Sequence, residues 1–223
     1  MSIYTMQQII EAAEQKGVKI STIAIEMESK ESGLSAMKIK ERMAYNYEVM
    51  KDSVHYGISQ IIPSVSGLTG GEGYKLWQGT EKGLSGQTIL RAASRAMAVS
   101  NVNASMGRIV AAPTAGSCGI IPGVLMTVGE LTGKSDEEIV EALITTAVVG
   151  KVIAQNATLA GAEGGCQAEC GAASAMAAAA AVELAGGTPS QAGDAAAIAM
   201  KGVMGLVCDP VAGLVEVPCI KRN

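Results

Sequence analysis

Apolar residues recur at a helical period almost from the start of the chain. Met6, Ile9, Ile10 and Ala13 make one stripe, and Ile20, Ile23, Ala24 and Met27 a second, at the i, i+3, i+4, i+7 spacing of an amphipathic helix. Met43, Tyr47, Met50 and Val54 extend a third, longer helix, which carries the only histidine, His55. The first eight residues, Met1 to Gln8, already read as helix. Around 67–86 the periodicity stops, and glycines mixed with polar residues predict a long loop. Beyond it the pattern predicts helices near 88–104, 117–131, 135–153, 165–184 and 189–204. Ser135-Asp-Glu-Glu138 reads as a capping box with acids in the first turn, and Thr188-Pro-Ser-Gln191 puts proline at the first helical position. Strand alternation is nearly absent, with Leu214 to Val217 the one short candidate. The expectation is an all-α fold, a compact bundle of Ala/Gly-rich helices. The long loop divides an N-terminal helical segment, 1–62, from a main helical body, 63–223, and the two can pack as a single domain.

Composition sharpens this picture. The chain is 48% hydrophobic yet has no Phe and one Trp, Trp77, so Ala, Gly, Val, Ile and Met fill the interior. Such small side chains let helices approach closely. Ala172 to Val182 is the longest apolar stretch; it is too short and alanine-rich for a membrane span, and Glu169 and Glu183 flank it, which predicts a buried helix and no membrane partner. A net charge of −4 without any long basic run argues against a nucleic-acid surface. Five cysteines is an odd number, and the first residues lack the basic-then-apolar pattern of a signal peptide. A reducing cytoplasm with metal-binding thiols suits this usage better than a disulfide framework.

Three of those cysteines stand in contexts suited to metal. Cys166 follows Gly164-Gly165 and precedes an alanine-rich helix, where free backbone N–H groups and the helix dipole favour a thiolate. Cys208 and Cys219 bound a step containing Pro210, Gly213 and Pro218, which cannot be one regular element. A chain that leaves a site and returns to it supplies two ligands in this way. Three thiolates on a cubane iron–sulfur cluster would leave one iron open as a Lewis acid. Spacing alone leaves the reading of ordinary buried thiols open, and Cys170, four residues after Cys166, leaves a four-cysteine zinc site open too. Cys118 and Cys170 read as packing residues.

Other candidates are weaker as bare patterns. Thr114, Gly116 and Ser117 precede a helix start and read as a carboxylate site or a plain N-cap. Ser66-Gly-Leu-Thr-Gly-Gly-Glu-Gly73 has the composition of an anion cradle but lacks the features of a P-loop or a dinucleotide site. Lys151 sits among apolar residues, and His55 reads as a solvated surface histidine.

At these residues the chain resembles the iron–sulfur L-serine dehydratases, specifically the α chain of the two-subunit form. The matching segments are Ser66–Gly71, Asn103–Gly107, Ala112–Ser117, Gly161–Gln167 and, with the highest specificity, Cys208–Asn223. The resemblance implies a [4Fe–4S] cluster on Cys166, Cys208 and Cys219, L-serine as substrate, a β chain as partner in an oligomer, and further helices beyond Asn223, making this chain look truncated. Its reaction converts L-serine to pyruvate and ammonia: an open iron takes the substrate hydroxyl, a base removes the α-proton, and the aminoacrylate hydrolyses. Thr114, Gly116 and Ser117, together with Ser66, Gly67 and Thr69 of the glycine loop, are then the candidates for gripping the carboxylate. Lys151 and Glu163 are candidate bases, as is a residue of the partner. The competing functions are a pyridoxal-phosphate dehydratase, which needs a Schiff-base lysine beside a phosphate loop, and a non-enzymatic module with a structural zinc site.

Overall fold

The computed structural model describes residues 5–223; of the helix expected over Met1 to Gln8, Met1 to Tyr4 lie outside the described residues, Thr5 is the extended N-cap, and the helix begins at Met6. The helices are α1 (Met6–Lys16), α2 (Ile20–Ser32), α3 (Ala36–Ser59), α4 (Glu72–Gln78), α5 (Gln87–Ala104), α6 (Ile120–Thr132), α7 (Asp136–Asn156), α8 (Gly161–Gly164), α9 (Cys166–Leu184), α10 (Pro189–Gly202) and α11 (Val217–Arg222), with a 3-10 turn at Ala115–Ser117. The fold is all-α.

Capping chemistry sets several of the boundaries. Both expected capping boxes form, Ser135 with Glu138 and Thr188 with Gln191, and Thr5 with Gln8 makes a third. Two expectations fail locally. The glycine-rich stretch contains α4, whose seven residues are too few to show a period. The strand expected at Leu214–Val217 does not form: Val211 and Leu214 make one isolated bridge, and Pro218 opens α11 in its first turn.

The alanine-rich α9 runs through the middle, with α10, α7 and α6 packed around it. Ala173, Ala179 and Ala180 are fully buried, and this helix is core rather than membrane span. Among the described residues Ala115–Thr132 is the one segment long and apolar enough to cross a membrane, and 67% of it is buried among its neighbours. One hydrophobic cluster joins Ile9, Ile20 and Val54 from the N-terminal helices to Leu143, Ala173 and Met176 of the body.

Glycines let α5 lie against its neighbours at backbone distance. A Cβ at Gly57 of α3 would stand 2.5 Å from the Ala98 carbonyl oxygen, and one at Gly123 of α6 would stand 2.8 Å from that of Ala92. Gly73 of α4 meets Ala98 and Gly119 meets Ala96 at least as closely. This packing fixes α5 and the start of α6, and so places the 3-10 turn that leads into the candidate site.

Candidate active site

The C-terminal segment crosses the N-terminal end of α9. Gln167 N–H donates to Leu206 O at 3.0 Å, and Gly205 N–H donates to Gln167 Oε1 at 2.8 Å. Gly165 makes the crossing possible. It adopts φ +77°, and a Cβ there would lie 2.7 Å from Leu206 O and 3.3 Å from Cys208 N. The backbone leading into Cys208 therefore lies against the start of α9 because the residue before Cys166 has no side chain.

Cys166 opens α9 and is buried. Arg222 Nη1 donates to its sulfur at 3.1 Å and to Val207 O at 3.1 Å. The same guanidinium forks onto Asp209, at 2.5 Å to Oδ1 and 3.0 Å to Oδ2. A planar fork suits this bidentate duty. Cys219, on α11, is half-buried. Burial first, then the nearby Cys166, Glu169 and Cys208, push its thiol up to about 11. Cys208 is exposed on the loop between them. The structure thus brings the three cysteines to one neighbourhood. Cys118 and Cys170 are buried close by, each pushed up to about 12, chiefly by burial. Among the described residues no three His, Cys, Asp or Glu side chains converge on the single point that one metal ion requires.

The loop read as an anion cradle does hold a carboxylate, an internal one. Ser66 Oγ donates to Glu216 Oε2 at 2.8 Å, and Thr69 Oγ1 donates to the same oxygen at 3.1 Å. Gly67, at φ +75°, turns the chain between them. Burial pushes the Glu216 carboxyl up, but the hydroxyls of Ser64, Ser66 and Thr69 outweigh it and hold the group below the usual carboxylate range. The loop is thereby tied to the segment carrying Cys219.

The 3-10 turn is pinned from two sides. Asn223 Nδ2 donates to Gly116 O at 2.7 Å, Gly119 N–H donates to Asn223 Oδ1 at 2.8 Å, and Asn103 Nδ2 donates to Ala115 O at 3.3 Å. Thr114 Oγ1 and Ser117 Oγ stand 3.3 Å apart, with Ser117 buried and Thr114 half-buried. Glu163, on α8, is exposed and accepts from Thr158 Oγ1 at 2.7 Å. Lys151 forms an ion pair with Glu31 of α2 and lines a cavity of about 190 Å³ between α2, α3 and α7. His55 is exposed on α3.

Sequence reasoning missed Glu216, Arg222, Asn223 and Glu169. The first three lie inside the Cys208–Asn223 segment, and a lone acid in the apolar run Leu-Val-Glu-Val-Pro was the available signal for Glu216. Glu169 gave none, since what sets it apart is the packing of its carboxylate against Gly116 and Gly161.

The serine dehydratase alpha chain family matches residues 15–223. The probable L-serine dehydratase alpha chain of Bacillus subtilis (strain 168) is 47% identical over 220 residues, covering 98% of this chain and 73% of that protein. The L-serine dehydratase alpha chain of Peptoniphilus asaccharolyticus is 42% identical over 221 residues, 98% of this chain and 76% of that protein. An L-serine dehydratase of Streptomyces coelicolor (strain ATCC BAA-471 / A3(2) / M145) is 37% identical over 226 residues, 98% of this chain but 49% of that longer protein. The match begins within α1 and runs unbroken through the cysteine loop to Asn223, and on that ground the chain belongs to the serine dehydratase alpha chain family.

Proposed function

We propose that this chain is the α chain of an iron–sulfur L-serine dehydratase, which with a β partner converts L-serine to pyruvate and ammonia in the cytoplasm. The observation that carries the reading is the gathering of Cys166, Cys208 and Cys219 by the C-terminal segment, with Arg222 donating to the Cys166 sulfur. This donor set fits a [4Fe–4S] cluster. It is all soft sulfur, and Cys166 stands at the N-terminal end of α9, where the free N–H groups and helix dipole favour the charge of thiolates and cluster. A pyridoxal-phosphate enzyme would need a free lysine at a phosphate loop, and Lys151 is committed to Glu31.

When bound, the cluster supplies a Lewis-acidic iron without a cysteine of its own, suited to the substrate hydroxyl. The remaining work falls to side chains. Thr114, Gly116 and Ser117 offer hydroxyls and backbone at a pinned turn beside α9, the place for the substrate carboxylate. Ser66, Gly67 and Thr69 serve the site through Glu216, holding the 208–219 loop over it. Glu163, exposed and three residues before Cys166, is the base candidate within the chain, and a residue of the β partner is the alternative. Val65, Leu68, Met106, Val207, Val211 and Val215 are exposed on loops around the site, an apolar rim that a covering partner would bury.

The test is pyruvate formation from L-serine by the anaerobically reconstituted chain, with and without its β partner. Turnover that needs both iron and the partner is expected. Equal turnover by the metal-free complex would contradict the iron-dependent reading, and no turnover of L-serine by the iron-loaded complex would contradict the substrate.

A further inference from the structure

Glu169 is a half-buried carboxylate without a cation. It makes no ion pair and no side-chain hydrogen bond among the described residues. Elsewhere in this chain the less exposed acids are provided for: Glu183 accepts from Thr145 and from the Ser21 N–H, and Glu216 from Ser66 and Thr69. Leaving a carboxylate partly desolvated and unpaired is unfavourable, so a group that neutralises it on arrival gains more there than in water.

Its surroundings are shaped for such a group. The carboxylate lies against two glycines, where a Cβ at Gly161 would stand 2.5 Å from Oε2 and one at Gly116 would stand 2.9 Å from it. One of these glycines belongs to the turn offered above for the substrate carboxylate. On the other side Glu169 lies three residues after Cys166 on α9, the spacing that puts the two on one face of the helix. Glu169 therefore stands between the turn offered for the carboxylate and the start of α9, where Cys166 sits. An α-amino acid held at those two places has a cationic ammonium between its carboxylate and its side chain.

We propose that Glu169 accepts the α-ammonium of the amino-acid substrate and so selects amino acids over the corresponding hydroxy acids. This rests on the serine dehydratase reading given above. The role is recognition of charge at a fixed place, and it does not require Glu169 to take the α-proton.

Binding of two non-reacting probes separates the possibilities. L-alanine carries the ammonium and carboxylate but no leaving hydroxyl, and propanoate lacks the ammonium as well. Ligand-detected NMR on the iron-loaded complex of the two chains gives both dissociation constants without turnover. The unaltered complex should prefer L-alanine. In Glu169→Gln that preference should fall by about 10- to 100-fold, the usual weight of a hydrogen bond to a charged group, with propanoate affinity little changed. Gly161→Ala leaves the acid present but displaces it, and should weaken L-alanine in the same selective way. Iron content and the visible spectrum of each variant report whether the site is intact. Undiminished preference for L-alanine in a Glu169→Gln complex of normal iron content would overturn the inference, as would equal weakening of both probes in both variants. If the unaltered complex bound neither L-alanine nor L-serine, the substrate reading would fall and this inference with it. If it turned over L-serine but Glu169→Gln kept the preference, the inference alone would fall.

Discussion

Ser66 Oγ donates to Glu216 Oε2 at 2.8 Å, joining loops that stand 150 residues apart in the chain. Thr69 completes the grip on that oxygen. The hydroxyls that look like a ligand cradle in the sequence act as a latch on the segment that carries Cys208 and Cys219.

Breaking the latch should loosen the cysteine loop before it unfolds the protein. Thr69→Val and Glu216→Gln each weaken a buried interaction to a charged group, which typically contributes about 1.5–3 kcal/mol. Iron should leave the reconstituted chain faster in the presence of a chelator, and proteolysis should cut first within 208–216. Iron retention identical to the unaltered chain in both variants would remove Glu216 from the account.

The latch has a definite pH dependence. The Glu216 carboxyl is depressed in the folded chain relative to its unfolded value of 4.5. A depressed acid contributes stability that is fully present above the unfolded value and is lost as pH falls through the folded one. The thermal stability of the metal-free chain should therefore fall below about pH 4.5, and Glu216→Gln should flatten that part of the profile. A Glu216→Gln profile with the same acid slope would contradict the assignment.

Arg222 should matter beyond its charge. Its fork reaches Asp209 twice and the Cys166 sulfur once, a geometry that lysine cannot reproduce. Arg222→Lys should lower iron affinity by about 10- to 100-fold, the range seen when groups supporting metal ligands are removed. The measurement is competition with a chelator of known affinity.

Thiol accessibility should follow the structure in the metal-free chain. Cys208 is exposed, whereas Cys118 and Cys170 are buried with thiols held near 12. Alkylation at neutral pH followed by mass spectrometry should mark Cys208 first and leave Cys118 and Cys170 last. Early labelling of Cys170 would mean that α9 does not begin as described.

Much of this was legible in sequence because it depends on local rules. Thr188-Pro-Ser-Gln191 and Ser135–Glu138 announce helix starts through their own side chains, and both form. The all-α reading and the run of buried alanines in α9 follow from periodicity and composition. What was hidden depends on contacts between distant residues. The short α4 has too few residues to show a period, and Leu214–Val217 had β-forming residues but no neighbouring strand. Glu169 becomes conspicuous only when Gly116 and Gly161 fold against it.

The most direct test of the central claim is iron and sulfide analysis, with visible spectra, of the anaerobically reconstituted chain and its five single Cys→Ala variants. The account predicts about four irons per chain in the unaltered protein, in Cys118→Ala and in Cys170→Ala, and loss of most iron and absorbance in Cys166→Ala, Cys208→Ala and Cys219→Ala. Loss in Cys170→Ala as complete as in Cys166→Ala, or full retention in Cys208→Ala or Cys219→Ala, would contradict the three-thiolate site.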